Sequence, residues 1–173
     1  MDPRTVTLGT DRWLTDSRVY NLVWLGRWIE RAETVARVLK WAAEQDRGDT
    51  KTSPGLDEIA RMAASVRGVT LETGESPLDA LLSGDSGSSL RGCLAAARYN
   101  ATHAAPVEVI QNLGVAISIL DDLGGLPSSA AEVASLMADM LTQLDQLHQS
   151  IEGAWFHSEA LSEEEVFRRF MQQ

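Results

Sequence analysis

Cysteine is almost absent from this chain: Cys93 stands alone among 173 residues. A single cysteine excludes an internal disulfide and any thiolate cage for zinc. It lies in the apolar run LRGCLAAA, residues 90–97, and reads as a buried structural thiol. Aromatic residues are scarce, at 6%, with Trp at five positions among them. No apolar stretch approaches the ~20 residues needed to cross a bilayer. The N-terminal MDPRTVTLGTDRW lacks the apolar centre of a signal peptide. The cytoplasm is therefore the expected compartment.

Basic residues are outnumbered. Lys and Arg total 15 against 25 Asp and Glu, a formal net charge of −10. That balance argues against nucleic acid and against anionic membrane surfaces as partners, since both call for clustered cations. Catalytic motifs are missing as well. No glycine-rich loop follows a strand, and GDSGSS at 84–89 lacks the Gly-Lys-Ser/Thr end of a phosphate loop. No Ser, His and Asp set falls in a hydrolase pattern. These gaps predict no nucleotide, no cofactor and no assignable catalytic residue, and they lean against an enzyme.

What is present is helical. Hydrophobic residues make up 44% of the chain, enough for a core. Residues 1–15, with Pro3 and Gly9 and no periodicity, read as a flexible arm before a domain over 16–173. From residue 16 to about 45 apolar positions recur at three-and-four spacing, and Asp16 or Thr15 can cap the helix start. The polar DRGDTKTSPG ends that helix. A short amphipathic helix follows over 56–66, then an ambiguous stretch over 67–75 read as a loop. Ser76 and Pro77 open a third helix. The serines of 86–89 cap another over about 88–104, and Pro106 starts one reaching Asp122. Ser129 and Glu132 form a capping box for a helix that Gly153 should end, and Ser162 and Glu165 form a second box. No stretch alternates with period two. The pattern predicts an all-α, antiparallel helical bundle of about five to seven helices around one long N-terminal helix.

On a helical wheel of residues 20–41, Leu22, Leu25, Trp28, Ile29, Ala32, Val35, Ala36 and Leu39 form the core stripe. Arg27, Glu30, Arg31, Glu33 and Arg37 spread over the other side. Arg27 with Glu30, and Glu33 with Arg37, are spaced to pair. Tyr20, Val23, Val38 and Trp41 share that side, so a face covered by the rest of the bundle or by a partner is expected, with most of the charges partly buried in ion pairs within the chain or across an interface. Three readings stay open: a solvated face, half-buried ion pairs that fix register, and a site for an anionic ligand, which guanidinium forks suit.

The string NLVWLGRWIERAETVARVL, residues 21–39, resembles the signature of the alpha-E domain family. Asn21, Trp24, Gly26, Arg27, Glu30, Arg31, Ala32, Glu33, Ala36 and Arg37 carry the match. SSLRGCLAAARYNA at 88–101 is similar to the family's later helix, with Arg98, Asn100 and Ala101 in place. IEGAWFHSEALSEEEVFRRF at 151–170 is similar to its glycine-containing turn and the helix after it. Members usually run to about twice this length and repeat the arginine–glutamate helix, whereas this chain stops at Gln173. Thr102 and Ala105 stand where the family's middle helix usually has further arginines.

The resemblance implies a helical domain that occurs beside, or fused to, circularly permuted ATP-grasp and transglutaminase-like proteins. The expected function is a non-catalytic accessory domain acting with an ATP-grasp-type amide ligase. The alternative is a catalytic or substrate-binding domain that takes a carboxylate or phosphorylated peptide at Arg27, Arg31, Arg37 and Arg98. Candidate ligand or partner residues are Arg27, Glu30, Arg31, Glu33, Arg37, Arg98 and Asn100. A homodimer is also expected, with Trp24, Trp28 or Trp41 at its interface. Asp145 and His148 have the spacing of a carboxylate–histidine metal pair, with Glu30 and Glu33 imagined opposite. Their arginine neighbours argue against it, and no metal is expected. His103 and His157 read as surface or capping residues.

Overall fold

In a computed structural model, residues 16–45, 55–71, 74–84 and 86–155 are described. Six helices occupy them, with no strand among the described residues: α1 (Asp16–Gln45), α2 (Leu56–Val66), α3 (Pro77–Leu82), α4 (Leu90–Ala104), α5 (Val107–Asp121) and α6 (Ala130–Trp155). The expected all-α class is what the chain adopts. The expected helix from Ser162 onward, the N-terminal arm, and His157 lie outside the described residues.

Local chemistry sets the helix starts. Ser76 Oγ accepts from the Asp79 N–H, with Pro77 at the first helical position. Ser89 Oγ accepts from the Gly92 N–H at 3.0 Å and satisfies one of α4's orphan donors. At α6, Ser129 Oγ accepts from the Glu132 N–H at 3.2 Å. The Glu132 carboxylate then reaches back to the Ser128 N–H at 2.7 Å, one residue beyond the usual capping-box donor. These bonds from Ser128 hold the Glu132 carboxyl below the usual carboxylate range. One expected boundary was wrong. Gly153 does not end α6, which runs through it to Trp155; one glycine costs only about 1 kcal/mol, which packing of Ile151 and Trp155 against the core outweighs.

Four of the helices close a ring in which α1 packs on α4 and α6, and α5 packs on the same two. Their directions follow from three contacts. The Arg18 guanidinium donates to the Ala104 carbonyl, joining the start of α1 to the end of α4. Arg91 pairs with Asp121 at 2.9 Å, joining the start of α4 to the end of α5. Asn112 donates to Ser150 Oγ at 2.6 Å, joining the first half of α5 to the last part of α6. The four therefore alternate in direction as an antiparallel bundle. Helix α2 packs against the C-terminal half of α1, and α3 packs on α2 and touches α4.

The core follows the expected stripe. Leu25, Ile29, Ala32, Val35, Ala36 and Leu39 of α1 are buried, against Leu94 and Ala97 of α4, Leu113 of α5, and Met137, Met140 and Leu144 of α6. Leu22 and Trp28 are half-buried at its margin. Cys93 is fully buried, as expected.

Candidate functional site

Helix α1 carries aromatic rings at four-residue spacing: Tyr20, Trp24 and Trp28. Four residues rise about one helical turn, so these side chains stack above one another. The Tyr20 and Trp24 rings are 6.1 Å apart, and Trp24 and Trp28 are 5.6 Å apart and nearly parallel. Helix α4 does the same with Tyr99 and His103, whose rings meet edge to face at 4.9 Å. Between the two ladders lies a groove of about 910 Å³. Its remaining lining is Ser17, Asn21, Ala96 and Asn100.

Two arginines sit on the tryptophans of the groove wall. The Arg27 guanidinium lies 5.4 Å from the Trp24 ring centre, and that of Arg31 lies 4.7 Å from Trp28. Each reaches back one turn, the direction in which helical side chains lean. Such stacking is worth about 0.5–1 kcal/mol at an exposed site and leaves the N–H edges of the guanidinium open. Among the described residues neither arginine meets a carboxylate.

The groove also offers acceptors. The amide nitrogen of Asn21 donates to the Ser17 carbonyl at 2.8 Å, and that of Asn100 donates to the Ala96 carbonyl at 2.8 Å. With both NH₂ groups turned to their own helices, the two amide oxygens are left without partners among the described residues.

Trp28 is held by its surroundings. A Cβ built on Gly87 would lie 2.7 Å from the Trp28 ring, so glycine there lets the 86–89 loop close over the indole without displacing it. That loop is tied down from α2's end, where Arg67 Nε donates to the Ser88 carbonyl at 2.8 Å. The same guanidinium reaches Cys93 Sγ at 3.8 Å, and the thiol donates to the Gly87 carbonyl at 3.3 Å. Burial pushes the Cys93 thiol up, with Arg67 and Arg31 only partly opposing it.

The charged residues singled out from the sequence are distributed otherwise than expected. Arg27, Glu30, Arg31 and Arg37 are exposed, and Glu33 is half-buried. The expected burial of most of them therefore does not come from within the chain, because α4 and α6 flank α1 without reaching its outer side. The expected Arg27–Glu30 pair does not form, since Arg27 stacks on Trp24 instead. Glu33 does pair with Arg37, at 3.5 Å, and also meets His148 Nε2 at 3.4 Å. Asp145 turns to Gln149 rather than to His148, so the imagined carboxylate–histidine unit is not assembled. Among the described residues no three metal-ligating side chains come together. Arg98 is exposed and outside the groove lining, whereas Asn100 is buried and part of it. Arg27, Arg31, Arg37 and Arg98 do not converge on one pocket.

Of the three tryptophans expected at an interface, Trp24 and Trp28 line this groove. Trp41 is 56% exposed and belongs to a second cavity of about 280 Å³ between α1 and α2, with Val38, Met62 and Val66. Tyr99 and His103 were missed as site residues, although their four-residue spacing was there to read.

Charge is segregated over the bundle. Helix α4 carries Arg91 and Arg98 and no acid, while α5 and α6 contain no Lys or Arg at all. The net charge of −10 is therefore not the field at the groove.

This is an antiparallel helical bundle with an aromatic groove whose two tryptophans carry Arg27 and Arg31, neither of them ion-paired among the described residues. The family model for alpha-E, described as a predicted alpha-helical domain with a conserved ER motif, matches residues 17–107. The chain belongs to the alpha-E family. Its one Glu–Arg dipeptide is Glu30–Arg31, on the outer side of α1. No curated protein and no solved structure matches the chain. No helix among the described residues is long and apolar enough to cross a membrane.

Proposed function

We propose that this chain is a non-catalytic accessory domain that holds a partner or substrate in the α1/α4 groove, working with an ATP-grasp-type amide ligase. The observation that supports it best is the exposure of the Glu30–Arg31 motif. An exposed pair with no ion partner among the described residues contributes little to folding. A motif that its family conserves at such a position points to binding. The concave aromatic wall beside it supplies the buried area that recognition needs. The catalytic alternative requires Arg27, Arg31, Arg37 and Arg98 to act on one substrate, and their separation and the Glu33–Arg37 pair weigh against it.

The test is capture of a circularly permuted ATP-grasp ligase from the same organism by the immobilised chain. Capture should be lost in Trp24→Ala and in Glu30→Ala/Arg31→Ala with the fold intact by circular dichroism. Retention by both variants would refute the reading, and ATP turnover by the chain alone would refute its non-catalytic part.

Self-association belongs to the same proposal. Trp41, Met62 and Val66 leave an apolar patch beside α2, and patches of this kind tend to be covered in solution. A two-fold dimer through this patch leaves the α1/α4 groove open.

A further inference from the structure

We infer that the α1/α4 groove takes an extended acidic peptide, reading carboxylates on alternate residues with Arg27 and Arg31. The inference rests on the groove being the binding site proposed above and names its ligand. Arg27 and Arg31 are one turn apart on α1, a rise of about 6 Å over four residues. Side chains on one face of an extended peptide recur every second residue, about 6.6 Å along the chain. The two spacings agree closely enough for one peptide to place two successive same-side carboxylates on the two guanidinium groups.

The arginines are prepared for this. Each lies over a tryptophan ring, which limits where the fork can go, and neither meets a carboxylate among the described residues. A planar guanidinium with open N–H edges suits a carboxylate in two-point contact. The groove lining supplies the complement to a peptide backbone. The oxygens of Asn21 and Asn100 are acceptors without partners among the described residues, suited to peptide N–H groups, which an extended chain leaves free. The rings of Tyr20, Trp24 and Tyr99 offer flat faces for peptide planes and side-chain stems. A helical ligand has its N–H groups already bonded and would leave those oxygens unused. A cationic ligand would meet the two arginines. The acids of α5 and α6 lie on the other pair of helices and do not oppose an anion here.

The full chain is titrated with a short peptide of alternating Glu and Ala, followed by tryptophan fluorescence and calorimetry. A peptide of alternating Gln and Ala is the comparison. The Glu peptide should bind, should weaken as salt is raised, and should exceed the Gln peptide by about tenfold or more. Arg27→Gln/Arg31→Gln should remove that preference, while Arg61→Gln on α2 should not. All are surface changes, and circular dichroism verifies the fold. Equal affinity for the two peptides, no effect of the double variant, or no binding by either peptide would overturn the inference. Protection of the groove tryptophans from a quencher only in a dimer would also overturn it, in favour of a second copy. If neither peptide binds yet Trp24→Ala still abolishes ligase capture, the groove reading stands and only the acidic peptide falls. If Trp24→Ala keeps both, the groove reading falls with it.

Discussion

At the scale of single residues, exposure and partners decide what a substitution does. Glu30 has no ion partner among the described residues, so Glu30→Ala should change stability by no more than about 0.5 kcal/mol in a urea melt. A buried ion pair of the kind the sequence suggested would make the loss several times larger. A loss of several kcal/mol would mean that an interface covers α1 in solution. Cys93 shows the opposite case. Its thiol is fully buried and its pKa is raised by that burial. It should resist a disulfide reagent in the native protein at mildly alkaline pH and react fully once guanidinium unfolds the chain.

Glu132 gives a pH dependence with a defined sign. Its carboxyl is held low in the folded state by the Ser128 N–H and hydroxyl. The stabilisation is present above the unfolded value of about 4.3 and is lost as pH falls through the lower folded value. Glu132→Gln should therefore narrow the stability difference between pH 6 and acid. A melt series with the same acid dependence in both proteins would contradict this.

At the scale of elements, the start of α4 leaves no room for an added side chain at Gly92. A Cβ on Gly92 would lie 2.0 Å from the Ser86 carbonyl oxygen, a backbone atom that cannot step aside. Gly92→Ala should cost about 1–3 kcal/mol, read from the denaturation midpoint. Ser89→Ala removes a buried cap and should cost about 1–2 kcal/mol. Gly87→Ala should act differently. Its Cβ meets the far end of the Trp28 indole, so the ring must shift and carry Arg31 with it. The expected result is a changed near-ultraviolet tryptophan signal, with a smaller loss of stability than in Gly92→Ala.

At the scale of the whole molecule, the predictions concern core and assembly. Met140 and Leu144 of α6 face a fully buried core. Leu144→Ala should destabilise by about 2–5 kcal/mol. Sedimentation equilibrium at micromolar concentration tests the proposed dimer. A mass near twice 18.9 kDa is expected, shifting toward the single-chain value in Trp41→Ala. A single-chain mass independent of concentration would refute it.

The sequence by itself determined the helical class, all six described helices and most of their ends. Those features depend on periodicity and on local caps such as Ser76, Ser89 and Ser129, which need no knowledge of distant residues. It also identified Leu25, Ile29, Ala32 and Leu39 as core, because one apolar stripe on a helix has to be buried somewhere. It overstated Gly153 as a stop, since a weak local preference yields to packing. What surrounds the stripe was decided only by the tertiary structure. A helical wheel shows which residues share a side, not how far the neighbouring helices reach around it. Here α4 stops short of the outer side of α1, leaving Arg27, Glu30 and Arg31 exposed. The groove is made where the Tyr20–Trp24–Trp28 ladder of one helix faces Tyr99 and His103 of another, more than seventy residues away in the chain. That juxtaposition depends on the relative placement of two helices, which local spacing does not encode.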